Sequence, residues 1–383
     1  MLNSERVKYI AFYYPLESNV ENRLSVPSSV NKINYIVSAL ERIGISVEII
    51  SPAWTLNDHG LYRKGKLTLK DDLELTSFCT IGTKKKYLKA FFRLITLIEF
   101  TYYLLAHTKR NEIVIVYHSQ ILSTPLRIVK ALKGINIILE VEENYSDISI
   151  SKFFKKLEQK IFKAGDMYIF STELLNESIN HSCKPYIVSY GTYSTEKFIK
   201  KGLCDNIIHV VYAGTFSQVK GGVNLAINSA LYLNKNYHVH IIGFGSPEEI
   251  NIVEKLVSEV SSSTSCTLTY DGMLIGDNYL KFIQSCDIGL STQVSIGKFS
   301  NTSFPSKILS YLSNGLRVVT VKIEVVERSK IGKSVYYYES ETPESIAETV
   351  MSINLNEYYD SLNLIKTLDE NFMQDLKTML DGK

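Results

Sequence analysis

The chain has 383 residues, 45% hydrophobic and 21% charged, with 20 Gly and 8 Pro. That length favours two domains with separate cores, and the composition excludes collagen-like, disordered and low-complexity chains. A formal net charge of +2 hides a division: residues 1–204 hold 28 Lys/Arg against 20 Asp/Glu, whereas 205–383 hold 14 against 20. Cys79, Cys183, Cys204, Cys266 and Cys286 are widely spaced and form no CxxC pair, so a disulfide framework is not expected and a reducing cytosol fits.

The opening MLNSERVKYIAFYYP lacks the basic and apolar segments of a signal peptide. Its VKYIAFYY reads as a first strand, followed by a helix over 30–43 and the strand ISVEII. The most apolar long stretch, 87–107, carries Lys89, Arg93 and Glu99, three charges too costly to place in lipid, so it is not read as a span. EIVIVYH, a helix over 124–132 and NIILEVE continue the βαβ rhythm.

The rhythm restarts after 205: IIHVVYAG, a helix over 223–233, HVHIIGFG, a helix over 247–260, CTLTYDG, a helix over 278–285, DIGLST, a helix over 306–313, LRVVTVK and SVYYY. Continuous apolar strands such as VIVY and HVHII indicate sheets covered on both faces. The fold class is therefore α/β, with two Rossmann-like, doubly wound parallel sheets. The expected domains are 1–204 and 205–355 with a linker near 197–205, then helical material over 356–383.

Ligands of open α/β sheets bind beyond the carboxyl ends of the strands, so chemistry is sought there. Two fragments fail as nucleotide fingerprints: GKS at 332–334 has Glu327 where a P-loop needs glycine, and Gly243-Phe244-Gly245 has Glu248 in place of the third glycine. No DxD pair and no His/Asp cluster with ligand spacing is legible, so no metal is expected. Two segments stand out. In VVYAGTFSQVKGG, a strand ends at Gly214 and Thr215, and Lys220 and Gly221 open the next helix, where amides favour an anion. In NTSFPSKILSYLSNG, Pro305 sits at a helix start with Ser306 and Lys307 in the first turn, a position where a cation has a use if it meets a phosphate.

Together these segments resemble the two-domain GT-B glycosyltransferases, in particular the group 1, GT4-like branch of bacterial polysaccharide synthesis, most clearly over 207–340. The resemblance implies a C-terminal domain that binds a nucleotide sugar, UDP-linked, through Gly214, Thr215, Lys220, Gly221, Thr302, Ser303, Phe304, Pro305, Ser306, Lys307 and Ser310, with Gly272, Met273 and Leu274 near the base. Lys220 and Lys307 would carry the diphosphate charge. The sequence departs from the pattern at Thr215, where the family often has arginine, and at Thr302 and Ser310, where it has an E-x7-E pair.

The N-terminal domain would bring the acceptor through Tyr14, His118, Glu142 and Glu143, each at the carboxyl end of a predicted strand, with His118 touching the donor sugar. The implied activity is metal-independent, retaining transfer of a sugar to a hydroxyl of a growing, lipid-linked surface glycan, with no cofactor beyond the donor substrate. Lys84–Lys86 with Lys89 and Arg93, and Lys152, Lys155, Lys156, Lys160 and Lys163, suggest basic stripes beside apolar surface, suited to an anionic membrane on the cytoplasmic side. No nucleic-acid-binding signature accompanies them. The rival readings are a non-catalytic GT-B partner or glycan-binding protein and a UDP-sugar epimerase on the same fold.

Overall fold

The computed structural model describes residues 6–15, 19–70, 73–147, 151–195, 205–216, 222–293 and 302–382. Two compact units divide the chain: Met1–Thr192 with Asn371–Lys383, and Tyr193–Glu370.

The first unit contains β1 (Arg6–Ile10), α1 (Pro27–Arg42), β2 (Ser46–Ser51), β3 (Leu61–Tyr62), β4 (Gly65–Lys70), β5 (Leu73–Ser77), β6 (Thr80–Ile81), α2 (Lys86–His107), β7 (Ile113–Tyr117), α3 (Ser123–Lys133), β8 (Asn136–Val141), α4 (Lys152–Ala164), β9 (Met167–Phe170), α5 (Glu173–Ile179) and β10 (Tyr186–Val188). Its eight-stranded sheet runs β10-β9-β8-β7-β1-β2-β5-β4 and is parallel except for the edge strand β4. Local chemistry sets the ends: Pro27 opens α1, and Gly134 closes α3 at φ +66, a conformation cheap for glycine. α2, α3 and α4 send Phe100, Leu104, Leu126, Val129, Ile161 and Phe162 onto one face of the sheet. Each such side chain contributes about 1.5–3 kcal/mol on full burial. The first strand is shorter than VKYIAFYY suggests, because beyond Ile10 the chain leaves the ladder and the Tyr13 amide donates to Ser51 Oγ (3.0 Å).

The second unit contains β11 (Ile208–Thr215), α6 (Gly222–Ser229), β12 (Tyr237–Phe244), α7 (Pro247–Ser261), β13 (Thr267–Gly272), α8 (Gly276–Ser285), β14 (Ile288–Ser291), α9 (Ser306–Leu312), β15 (Arg317–Val321), α10 (Glu324–Glu327), β16 (Tyr336–Tyr338), α11 (Pro343–Ser352) and α12 (Ser361–Asp381), whose last turns belong to the first unit. The six parallel strands run β13-β12-β11-β14-β15-β16. A capping box between Ser246 and Glu249 starts α7 and satisfies two otherwise orphaned amides. Val210, Tyr212, Val239, Ile241 and Leu268 face the core formed with α6, α7 and α11.

Candidate functional site

In the second unit the strand order reverses between β11 and β14, the place where open α/β sheets leave a crevice at the strand carboxyl ends. The residues gathered there are Gly214 and Thr215 closing β11, Thr292 after β14, Gly222 opening α6, and Pro305, Ser306 and Lys307 at the start of α9. Thr292 Oγ1 donates to the Gly222 carbonyl at 2.7 Å, and a Cβ at Gly222 would stand 2.2 Å from the Thr292 carbonyl oxygen. Only glycine permits that approach. At Gly243, φ is +151 and a Cβ would meet the Gly214 carbonyl at 1.8 Å.

Lys307 crosses this crevice. Its Nζ lies 3.6 Å from the centroid of the Tyr212 ring, and a Cβ placed on Gly214 would fall 2.6 Å from its Cε. Tyr311, one turn on, fixes α9 from beneath: its hydroxyl accepts from the Ala213 amide (2.8 Å) and donates to the Leu290 carbonyl (3.3 Å). Its ring fills the space a Cβ of Gly289 would need. The sequence Pro-Ser-Lys-x-x-x-Tyr thus places a lysine over β11 because the tyrosine anchors the helix between β11 and β14.

Ser310 Oγ is 3.4 Å from Tyr279 Oη, so the position that holds a carboxylate in the resembled pattern here joins α9 to α8. Thr302, Ser303 and Pro305 are half-buried, Ser306 is exposed, and Phe304 is buried. Gly272 ends β13 at φ +78; Met273 beyond it is exposed and Leu274 half-buried. Lys220 and Gly221 lie outside the described residues.

In the first unit the corresponding reversal lies between β1 and β7. Tyr14 is buried there with the Arg23 guanidinium 5.7 Å from its ring centroid. His118 stands inside the unit rather than at its surface, enclosed by Tyr145 and Phe162, its Nε2 3.4 Å from Glu158 Oε1. Burial pushes its pKa down to about 3, so the ring is neutral at physiological pH and packs between the two aromatic rings. Glu142 Oε1 lies 3.3 Å from the Nζ of buried Lys32, which also donates to the Ser189 carbonyl (2.8 Å) and the Gly191 carbonyl (3.1 Å). Glu143 is half-buried.

Sequence reasoning missed Lys32 and Glu140. Glu140 is fully buried on β8, accepts from Tyr9 Oη, and lies near Glu142, just beyond the end of that strand. Burial, then the Glu142 charge, pushes its pKa up to about 8 against the pull of Lys32. A carboxyl whose pKa is raised on folding binds more protons folded than unfolded, so its contribution to stability is present at low pH and is lost as pH rises from the ordinary carboxyl range through about 8. Glu140→Gln is therefore expected to flatten the fall in stability between about pH 5 and pH 8.5, by on the order of 1–3 kcal/mol at the upper end. Urea midpoints of wild type and variant across that range check this; parallel curves would exclude the ionisation of Glu140 as their cause.

Two expectations are corrected. Lys89 and Arg93 do not join an outward basic stripe: Lys89 reaches Asp58 (3.9 Å), and Arg93 lies over the Trp54 ring (4.5 Å). The outward face of α2 is instead apolar, with Tyr87, Phe91, Leu94, Ile95, Ile98 and Tyr102 exposed within a stripe of about 100° at 100° per residue. Exposed lysines align on α4, where Lys152, Lys156, Lys160 and Lys163 share one face, while Lys155 turns aside to the Ser146 carbonyl (3.0 Å). Among the described residues no helix is long and apolar enough to cross a membrane. The second concerns the expectation that there is no His/Asp cluster: the fold assembles one across strands, His209, His238 and His240 with Asp205 and Asp271.

The two sheets, their strand orders and the reversal points define a GT-B fold. Among solved structures the chain is similar to E. coli trehalose-6-phosphate bound with UDP-2-fluoro glucose (TM-score 0.67, 11% identity, 98% of each chain covered). It is also similar to Anabaena HepE in complex with UDP and glucose (0.63, 9%, 97% of this chain and 99% of that one). The lipopolysaccharide outer core galactosyltransferase WaaB in its apo form is a third (0.61, 14%, 98% and 99%). No protein-family model matches the chain, and no curated protein matches it in sequence.

Proposed function

We propose that the protein is a glycosyltransferase that moves a sugar from a UDP-linked donor, with retention, to a hydroxyl of a lipid-linked surface glycan at the inner face of the cell membrane. The observation that carries this reading is Lys307, held over Gly214 at the sheet reversal of the second unit. A diphosphate placed there meets a fixed cation and needs no metal; Lys307, together with Lys220, stabilises the charge that grows on the leaving phosphate as the glycosidic bond breaks. In this retaining mode the leaving phosphate takes the acceptor proton, which agrees with a buried, neutral His118. The predicted N-terminal domain, 1–204, would bring the acceptor, its α2 and α4 faces resting on anionic lipid, and 205–355 would hold the donor.

Thermal unfolding with a panel of UDP- and GDP-sugars tests the donor assignment. At a hundredfold excess over Kd a ligand of the folded state adds about 2.7 kcal/mol, worth on the order of 5–10 °C in a unit of this size. Stabilisation by UDP-sugars with slow donor hydrolysis, unchanged by EDTA in its initial rate, is expected. No shift with any nucleotide sugar would remove the reading, and binding without hydrolysis or transfer would favour a non-catalytic partner.

A further inference from the structure

We propose that the second unit carries a site for a divalent transition metal with zinc-like preferences, held by His209, His238 and His240 and distinct from the donor crevice. The register of the sheet builds it. His209 of β11 pairs with His238 of β12, and His240 follows at the next position on the same strand face. Thr269 of β13 aligns with His240, and Asp271, the residue left unpaired by the register shift before Gly272, shares their face. The opposite face of these strands is the apolar core, so the polar row is segregated to one side, where Phe282 of α8 covers His240 edge-on at 5.1 Å.

Hydrogen bonding fixes which nitrogens are free. Asp271 Oδ2 lies 3.0 Å from His240 Nδ1, and Asp205 Oδ1 lies 3.2 Å from His209 Nε2. A carboxylate only accepts, so both of those ring nitrogens carry hydrogen. Thr269 Oγ1 donates to Asp271 Oδ2 (2.8 Å) and sits 3.0 Å from His238 Nε2, from which it accepts. A ring with a single N–H is left with one bare nitrogen, and those of His209 (Nδ1) and His240 (Nε2) face each other at 2.9 Å. Two lone pairs at that distance repel unless an electrophile, a proton or a metal ion, lies between them.

The third histidine favours the metal. A bridging proton needs two nitrogens, yet one ligand atom from each of the three rings lies within 4.8 Å of the others. Nitrogens sharing a tetrahedral zinc at 2.0–2.1 Å stand about 3.3 Å apart. Forming the set therefore takes an opening of the His209–His240 pair by about 0.4 Å and a movement of the His238 ring of roughly 1.5 Å or less. The carboxylates on the outer nitrogens are the partners that orient metal-bound histidines and raise their basicity. The cluster aligns with residues 209–211 of β11, three to five residues before Gly214, about 10–16 Å along the strand. That is too far to touch a diphosphate there, so the ion ties β11 to β12 rather than acting on the donor.

The test uses the full-length chain without an affinity tag, stripped with chelator and titrated with Zn(II) by calorimetry and with Co(II) by visible absorption. One equivalent bound at micromolar Kd or tighter, a Co(II) ligand-field band and a higher Tm are expected. His209→Gln and His240→Gln should each weaken binding at least 100-fold, Asp271→Asn about 10-fold, and His181→Gln, at an exposed position, not at all. Near-UV circular dichroism of the metal-free variants establishes that they are folded. Wild-type protein that binds no Zn(II) at 100 micromolar, or binding that survives both His209→Gln and His240→Gln in folded protein, would overturn the site and leave a proton between the rings.

Discussion

Lys307→Ala is expected to weaken UDP and UDP-sugar binding and to lower turnover by about 10- to 150-fold, the equivalent of the roughly 1.5–3 kcal/mol carried by a charge-assisted phosphate contact. The fold should survive, because the side chain crosses a crevice and packs on Tyr212 without entering the core. Gly214→Val provides a second route to the same outcome with the lysine retained. A Cβ at 214 falls 2.6 Å from Lys307 Cε, and the flexible end of that side chain is what gives way. The two substitutions act on one contact, so the double variant is expected to be little worse than either single one, the signature of coupled sites. Lys220→Ala should reduce affinity similarly. Calorimetric titration of UDP against each variant measures this, and unchanged affinity in folded Lys307→Ala would dissolve the proposed donor site.

That contact also marks how far the sequence could be read. The six strands of the second unit were legible because parallel strands covered on both faces are continuous apolar runs, as in HVHII and RVVTV. Lys307 was legible because its neighbours, Pro305 at the helix start and Tyr311 one turn on, leave a local pattern. β4, GKLTLK, was not: it is an exposed antiparallel edge strand whose alternation carries little hydrophobic signal. Lys32 and Glu140 were missed because a lone lysine in an apolar helix meets Glu142, and a carboxylate in an apolar strand meets the Tyr9 hydroxyl, only once the chain is folded. The histidine cluster depends on a register, His209 opposite His238 across 29 positions of sequence, although the HxH spacing on one strand face was a usable hint. Lys89 and Arg93 went astray for a related reason, since sequence shows that a helix is amphipathic but not which flank its neighbours cover.

Wild-type protein is expected to sediment with phosphatidylglycerol vesicles at low salt and to be released as salt rises, while phosphatidylcholine vesicles retain little. α3 packs between α2 and α4, so the apolar stripe of α2 and the exposed Leu132 of α3 adjoin the lysine row of α4 in one layer. Exposed apolar side chains grouped in this way mark an interaction surface. The charge beside them selects an anionic one, with each lysine near such a surface contributing about 1 kcal/mol and screening acting over about 10 Å at 0.1 M salt. Phe91→Ser, Leu94→Ser and Ile98→Ser together remove side chains worth about 1.5–3 kcal/mol each when fully buried. Even partial insertion makes the expected loss of vesicle affinity more than about 50-fold, at no cost to stability, because all three are exposed in the folded chain. Changing Lys152, Lys156, Lys160 and Lys163 to Gln should instead abolish the preference for anionic over neutral lipid. Neither set should alter UDP affinity, since both faces belong to the first unit and Lys307 to the second. If wild type ignores anionic vesicles even at low salt, the α2 face serves another partner and the acceptor is not presented at a membrane.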